Sequence, residues 1–285
     1  MATSIALIAP LALAQSAFAG IFLPESGGSP NADGIRTLYL LLTLLGLVIF
    51  IGVEGLLIYC MVKFRAKRGA TAAQIHGNTQ LEIGWTVGAA VILVFIAIFT
   101  FATLPSIRNP PNSEEGLSNS AGVSSGIAVA QTEKLPPNGK SVRIAVNGQQ
   151  YIWRYTYLDG DDNTLNDVFS YEQMVVPAGV TVTLAIRAQD VAHSWWIPKL
   201  GGKFDAVPKH TNYTWFRIPS DKAGTTFRGQ CAELCGRGHA NMRATVKALT
   251  PSEFEAWLES KKQQIKASND AAARQRQRVD AGQNP

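Results

Sequence analysis

Two stretches of the chain are too long and too apolar for most soluble proteins, and they decide the fold. They are residues 38–62, LYLLLTLLGLVIFIGVEGLLIYCMV, and residues 81–104, LEIGWTVGAAVILVFIAIFTFATL. At about 1.5 Å per residue, a helix of this length crosses a hydrocarbon layer of about 30 Å. We therefore expect a two-helix transmembrane hairpin over residues 38–104.

The flanking segments indicate how the hairpin is oriented. The loop after the first stretch is basic, with KFRAKR at residues 63–68. Lys and Arg in short loops mark the cytoplasmic side, so everything after residue 104 is expected outside the cytoplasm. The first residues, MATSIALIAPLALAQSAFAG, form an apolar run that ends in small residues, although no Lys or Arg precedes Arg36. This pattern is typical of a secretory signal peptide, which we place at residues 1–19.

The composition supports a membrane protein and excludes several other classes. Of the 285 residues, 46% are hydrophobic and only 16% are charged, whereas soluble domains carry about a quarter charged residues. The net charge of +5 comes largely from one loop and one tail, so we expect no nucleic-acid partner. Three cysteines are too few for a disulfide scaffold in a chain of this length.

A linker and a β-rich domain follow the second apolar stretch. Residues 105–140 are rich in Ser, Gly, Asn and Pro, which is typical of a flexible linker. Residues 141–250 carry short β-prone runs separated by turn residues, which predicts a small antiparallel β-sandwich or barrel. The sequence TPSE at residues 250–253 is a capping box with proline at the first helical position. For residues 251–285 it predicts a short helix to about Lys266 and then a polar tail.

Residue types that bind metals are concentrated in GQCAELCGRGHANM, at residues 229–242. The metal-binding types in this stretch are Cys231, Cys235, His239 and Met242. The three glycines of the stretch favour a loop that folds these side chains inward rather than a helix. His193, in DVAHSWWIP, ends a strand-like run and could reach the same centre from an adjacent loop.

Three kinds of site remain open for these residues. A disulfide between the cysteines would suit an oxidising compartment, but it gives His239, Met242 and the glycines no role. A structural zinc site with two Cys and two His would not select methionine. Thiolate, thioether and imidazole together favour copper, and two bridging thiolates holding two coppers would use the second cysteine. Such a centre has no open position for a substrate, so we favour an electron relay with no catalytic residue in this chain.

The motifs C-x-E-x-C-x-x-x-H-x-x-M and D-V-x-H-S-W, combined with the hairpin and the outward β-domain, resemble the subunit 2 family of aa3-type cytochrome c oxidases. The resemblance implies an all-β, cupredoxin-like Greek-key barrel that holds a dinuclear copper A centre. The copper ligands that it implies are His193, Cys231, Cys235, His239, Met242 and the backbone carbonyl of Glu233. It also implies that the Glu233 carboxylate helps to hold a magnesium or manganese ion at the contact with subunit 1.

The resemblance further implies an enzyme that is active only as a complex, a proton-translocating cytochrome-c oxidase. The expected partners are subunits 1 and 3, the lipid membrane, and cytochrome c as electron donor. Copper A would pass electrons to haem a of subunit 1, where haem a and copper B support the reduction of oxygen to water. The implied location is a bacterial plasma membrane, with a multi-pass chain and the copper domain on the periplasmic or outer face.

Two further segments match the family's motifs, one of them incompletely. TQLEIGWT, at residues 79–86, resembles the segment whose Glu lies at the entrance of a proton path, so that role is expected for Glu82. The family's aromatic patch usually reads G-H-Q-W-x-W, whereas residues 148–153 read GQQYIW. Tyr151 and Trp153 are therefore the expected points of electron acceptance, with a tyrosine at the first aromatic position.

Other functions of the same motif stay open at the level of sequence. A copper relay subunit of another membrane reductase, such as a nitric oxide reductase, would need the same ligands. A stand-alone copper carrier tethered to the membrane would also need them, but it would not need a proton entrance at Glu82. A quinol-oxidase subunit of the same fold lacks these ligands, so their presence argues strongly against it.

Overall fold

The structure is a computed structural model that describes most of the chain. The described residues are 23–65, 71, 74, 76–113, 135–160 and 166–281. They form two compact units, of which the first combines the described residues up to Ile35 with those from Ser106 onward and the second lies within Arg36–Pro105. The expected signal peptide at residues 1–19 and most of the expected linker lie outside the described residues.

Two long apolar helices confirm the predicted membrane-capable segments. Helix α1 spans Pro30–Lys63 and helix α2 spans Thr79–Arg108, and both are long and apolar enough to cross a membrane. Each begins before its apolar stretch, because Pro30 suits the first helical turn and the Asn78 side chain accepts a hydrogen bond from the Leu81 N–H at 3.1 Å.

The second helix ends later than the sequence indicated. We expected a linker from residue 105, but Pro105 lies inside α2, which continues to Arg108. Proline removes the hydrogen bond that its own N–H would donate to the carbonyl four residues earlier, and its ring crowds that carbonyl, but the N–H groups of later residues can still form their bonds. Because Pro105 is in the final turn, the helix loses little and continues past it.

Ten strands form a β-domain after the helices. Their bounds are β1 Val142–Gln149, β2 Ile152–Tyr157, β3 Val168–Tyr171, β4 Gln173–Pro177, β5 Thr181–Ala188, β6 His193–Trp196, β7 Phe204–Ala206, β8 Asn212–Arg217, β9 Thr226–Cys231 and β10 Arg243–Leu249. They make two five-stranded sheets, ordered β3-β2-β1-β5-β8 and β4-β10-β9-β6-β7. The fold is the cupredoxin-like β-domain that the resemblance implied.

The expected antiparallel sandwich or barrel also contains two parallel strand pairs. Strands β1 and β5 pair in parallel, and so do β4 and β10. Both pairs join strands that are distant in sequence, with other strands between them. Local alternation and turn residues predict where a strand begins and ends, but they carry no information on which distant strand lies beside it.

The two sheets enclose one apolar core that supports the loops at their edges. Burial alternates along β1 and β2, so every second side chain faces inward. Trp195 of one sheet stacks on Phe216 of the other, with ring centroids 6.3 Å apart. Full burial of such side chains contributes about 1.5–3 kcal/mol each, which makes the core a rigid support for its loops.

The segments that flank the helices attach to the edge strand β8. The Asn31 side-chain amide donates to the Trp215 carbonyl at 2.7 Å, and the Arg217 N–H donates to the Ser29 hydroxyl at 3.0 Å. After α2, the Asn112 carbonyl accepts a hydrogen bond from the Arg217 guanidinium at 2.7 Å. Backbone groups that an edge strand leaves unpaired are therefore satisfied here by the chain itself.

The C-terminal helix α3, Pro251–Asp280, begins where the sequence predicted but is longer. The capping box is present, since the Thr250 N–H donates to the Glu253 carboxylate at 2.9 Å and the Thr250 side chain accepts from the Glu253 N–H. We expected an end near Lys266, and the helix continues to Asp280 instead. Residues 267–280 are rich in Ala, Gln and Arg and contain no Gly or Pro, so helix propensity alone extends it.

Candidate metal centre

Two loops at one end of the β-domain carry the predicted metal-binding residues. Cys231 is the last residue of β9 and His193 is the first of β6, and the ladder between these strands pairs Cys231 with Trp195. The loop after β9 then turns back through Gly236, whose φ of +125° lies where side chains are strained. A short 3₁₀ turn at His239–Asn241 returns the chain to β10.

The loops bring the sulfur and nitrogen donor atoms close together. The separations are Cys231 Sγ to Cys235 Sγ 4.0 Å, Cys231 Sγ to His193 Nδ1 3.9 Å, Cys235 Sγ to His239 Nδ1 3.7 Å, Cys235 Sγ to Met242 Sδ 3.9 Å, and Cys231 Sγ to the Glu233 carbonyl oxygen 3.3 Å. The two sulfur atoms therefore lie side by side, and each thiol faces a different imidazole: Cys231 faces His193, and Cys235 faces His239. The arrangement has one terminal histidine on each side.

The two cysteines are free thiols rather than a disulfide. Their sulfur atoms lie 4.0 Å apart, about twice the length of an S–S bond of about 2.05 Å. The donor atoms of His193, Cys231 and Cys235 all lie within 4.8 Å of one another, a spacing that a metal ion can bridge. The disulfide alternative from the sequence is therefore not what the structure shows.

Burial makes the site a poor place for uncompensated negative charge. Cys231, Cys235, His193 and Met242 are all buried. Burial, together with the neighbouring Cys231, raises the pKa of the Cys235 thiol to about 11. Two adjacent thiolates in this environment need positive charge beside them, and a bound metal cation supplies it.

Asp190 is a functional candidate that the sequence reasoning missed. Its carboxylate Oδ1 lies 2.9 Å from His193 Nε2, on the side of the ring opposite to Cys231. Burial opposes ionisation, but hydrogen bonds from the Gln150 N–H, the His193 ring and the Val191 N–H hold the pKa of Asp190 below its usual value. The signal was available, because Asp190 opens the D-V-x-H motif.

Gln150 is a second residue that the sequence reasoning passed over. Its backbone N–H donates to Asp190 Oδ2 at 2.7 Å, and its side-chain amide donates to the Cys235 carbonyl at 2.6 Å. The residue lies in the turn between β1 and β2, which contributes none of the donor atoms. Its position in the aromatic patch, directly before Tyr151, was the available signal.

The two aromatic residues of the patch lie in different environments. Tyr151 is 38% exposed and packs at Gly236 and Gly238 against the loop between β9 and β10, which we call the ligand loop. Trp153 is fully buried, with its ring 5.9 Å from the His193 ring in an edge-to-face arrangement. Of these two residues, Tyr151 is thus the one that an approaching partner protein could touch.

Glu82 lies in the helical unit, in the first turn of α2. Its side chain is exposed and accepts a hydrogen bond from the Asn78 N–H at 3.3 Å. A carboxylate at a helix N-terminus is favoured by the helix dipole, so this contact also serves to begin the helix.

The contact between Tyr151 and the ligand loop leads to a testable prediction. Gly238 has an ordinary φ of −91°, and a Cβ there would lie 2.5 Å from ring carbon Cδ2 of Tyr151. Gly238→Ala should therefore displace the loop, at about 1–3 kcal/mol, and lower the copper content of the purified protein. Tyr151→Ala in the same chain removes the clash and should restore copper binding.

Gly202→Ala is the matched control, because the nearest atom to a Cβ there is 3.8 Å away. Copper content and thermal unfolding would be measured for all variants. Unchanged copper content in Gly238→Ala, or no recovery in the double variant, would contradict the packing of Tyr151 on the loop.

Comparisons with known proteins show which family the chain belongs to. Residues 16–103 match the family model described as cytochrome c oxidase subunit II, transmembrane domain. Residues 164–249 match the model described as cytochrome c oxidase subunit II, periplasmic domain. The first model covers most of the two apolar helices, and the second covers most of the β-domain.

Individual relatives of the chain are also named cytochrome c oxidase subunit 2. The chain is 32% identical over 253 residues to cytochrome c oxidase subunit 2 of Alkalihalophilus pseudofirmus, covering 88% of this chain and 65% of that protein. It is 30% identical to the probable cytochrome c oxidase subunit 2 of Rickettsia bellii, covering 92% of this chain and 93% of that protein.

Among solved structures, the periplasmic domain of subunit II of cytochrome oxidase from Bradyrhizobium japonicum is 29% identical. The match covers 44% of this chain and 95% of that domain, with a TM-score of 0.39. The family models and the relatives, rather than this structural match, establish the relationship. On their account the chain belongs to the cytochrome c oxidase subunit II family.

Proposed function

We propose that this chain holds a dinuclear copper A centre and accepts electrons for a cytochrome c oxidase. The observation that carries the proposal is the pair of free, buried thiols 4.0 Å apart, each facing a different imidazole. A mononuclear blue-copper site would use one thiolate. Membership of the subunit II family supports the same function.

The residues present fit a pair of copper ions. Cys231 and Cys235 would hold the metals through their thiolates, and His193 and His239 through their imidazoles. Met242 and the Glu233 carbonyl would be weak additional ligands. This set of soft sulfur donors with imidazole suits copper, whereas zinc sites do not select methionine. When bound, the two coppers would supply one-electron chemistry by sharing a single unpaired electron.

The chain's own residues would keep the centre rigid and dry. Met242 and His193 are fully buried, so water is excluded from that side of the site. Both histidines come from loops that are anchored to the β-sheets rather than from mobile ends. Little rearrangement on a change of charge is what a relay requires, because reorganisation slows electron transfer.

Tyr151 is the proposed point where electrons arrive, with Trp153 behind it. Tyr151 is exposed over the ligand loop, and Trp153 contacts the His193 ring from the protein interior. The proposed donor is cytochrome c. The proposed acceptor is haem a of subunit 1, where haem a and copper B reduce oxygen to water while the complex translocates protons.

The remaining assignments follow from the family resemblance and stay proposals. We propose subunits 1 and 3 as partners and a bacterial plasma membrane as the location, with the β-domain in the periplasm. The Glu233 carboxylate, which is exposed, would help to hold magnesium or manganese at the contact with subunit 1. Residues 1–19 would be removed as a signal peptide.

Copper analysis tests the central proposal. The full-length chain, purified in detergent and reconstituted with copper, should bind two copper ions per chain. Its EPR spectrum should show hyperfine structure from one electron shared by two copper nuclei. Cys235→Ser should abolish this signal, because a hydroxyl does not replace a bridging thiolate.

Cys60→Ser is the matched control for this experiment. Cys60 is an exposed cysteine in α1 and belongs to the other compact unit, and its loss should leave copper content and spectrum unchanged. A single copper with the pattern of one nucleus, or zinc in its place, would rule out the dinuclear centre.

A second experiment tests Tyr151. Tyr151→Ala should slow the reduction of the copper centre by reduced cytochrome c about tenfold or more, which corresponds to about 1.4 kcal/mol of barrier. Rapid-mixing absorbance of the copper centre would follow the reaction. Tyr171→Ala is the control, since Tyr171 is an exposed tyrosine at the end of β3. Equal rates in the two variants would exclude Tyr151 as the point of arrival.

A third experiment tests Glu82 in the assembled oxidase. Glu82→Gln removes a titratable group and should slow oxygen consumption while the copper centre is still reduced at the normal rate. Glu54→Gln is the control, because Glu54 is an exposed glutamate in α1. A proton entrance at Glu82 is excluded if both variants respire like the parent protein.

A further inference from the structure

Three hydrogen bonds connect the two sides of the metal centre through residues that provide no ligand. Asp190 Oδ1 lies 2.9 Å from His193 Nε2. Asp190 Oδ2 accepts the Gln150 N–H at 2.7 Å, and the Gln150 side-chain amide donates to the Cys235 carbonyl at 2.6 Å. The chain of contacts therefore runs from one imidazole to the backbone of the opposite cysteine.

This connection joins three segments that are distant in sequence. His193 is the first residue of β6, and Cys235 comes from the loop between β9 and β10. Gln150 belongs to the turn between β1 and β2. These two strands are in one sheet, whereas β6, β9 and β10 are in the other. A single residue of that turn thus contacts one loop with its backbone and the other with its side chain.

The contact also sets the orientation of the His193 ring. A carboxylate oxygen can only accept, so the hydrogen bond to Asp190 places the ring proton on Nε2. Nδ1, which faces Cys231 at 3.9 Å, is then free to bind a metal. The Val191 N–H donates to Asp190 Oδ1 at 2.7 Å and restrains the carboxylate in turn.

Packing in the core does not account for the positions of the Gln150 and Asp190 side chains. Gln150 is exposed and the Asp190 side chain is 32% exposed, so neither is held by a surrounding core. Gly236 contributes room, because a Cβ there would lie 3.0 Å from the Gln150 amide nitrogen. Hydrogen bonds hold these two side chains instead, since the Asp190 carboxylate contacts His193 and the Gln150 N–H, and the Gln150 side-chain amide contacts the Cys235 carbonyl.

We propose that Gln150 and Asp190 are positioning residues that form one bracket across the metal centre. The bracket fixes the His193 ring and the Cys235 main chain relative to each other before a metal binds. The proposal rests on the proposed function, since the centre that it positions is the copper site. Partners outside the ligand set usually contribute about 10- to 100-fold to metal affinity.

The first test uses the metal-free, full-length chain in detergent. Nitrogen NMR of ¹⁵N-histidine-labelled protein should show the His193 proton on Nε2. Asp190→Asn offers one oxygen to three N–H donors, so this tautomer should lose its preference. Gln150→Met has similar size but no donor, and it should speed amide hydrogen exchange in the loop around Cys235. An unchanged tautomer in Asp190→Asn would overturn the proposal.

The second test measures copper affinity by competition with a chelator. Asp190→Asn and Gln150→Met should each weaken binding about 10- to 100-fold, with an altered EPR spectrum. The double variant should be no weaker than the worse single variant, because breaking either link breaks the bracket. Additive losses would mean two unrelated local effects and would overturn the proposal.

Gln149→Ala and Asp221→Asn are the matched controls. Gln149 is the neighbouring glutamine at the end of β1, and Asp221 is an exposed aspartate between β8 and β9. Both should bind copper like the parent protein, and a loss equal to that of the bracket variants would overturn the proposal. If the parent protein itself lacks a two-copper centre, the proposed function fails, while the NMR test still decides whether the bracket exists.

Discussion

Two thiols held side by side in the interior of a β-domain are the constraint on which the rest of the site depends. Their sulfur atoms are too far apart to bond and too close to be ionised together without a cation. The loop between β9 and β10 must therefore fold tightly enough to hold them, and glycine is required where it turns.

The fold and the donor atoms could be predicted from sequence because they leave local signals. Length and hydropathy identify the two helices, and residue type and spacing identify Cys231, Cys235, His239 and Met242. What could not be predicted depends on contacts between distant segments. The parallel pairing of β1 with β5 is one example, and the approach of Gln150 to Cys235 is another. A glutamine in a turn looks like any solvated surface residue until the loop that it binds is placed beside it.

The lengths of α2 and α3 show a different limit. In both, we expected the helix to stop at a change of composition, at Pro105 and near Lys266. A helix continues as long as further backbone hydrogen bonds can form. Neither a proline in the last turn nor the loss of an apolar face stops the following residues from forming them. Composition marks where a helix stops being buried, which is not where it stops being helical.

The attachment of residues 29–31 and 112 to strand β8 has a consequence for anyone who separates the β-domain from its helices. A fragment that begins at residue 141 loses the partners of the Trp215 carbonyl and the Arg217 N–H, and the sheet regains an open edge. Open edges pair with one another between molecules. A soluble version of this domain should therefore keep the short segments on both sides of the hairpin, joined directly, so that self-association does not replace the contacts removed with the membrane helices.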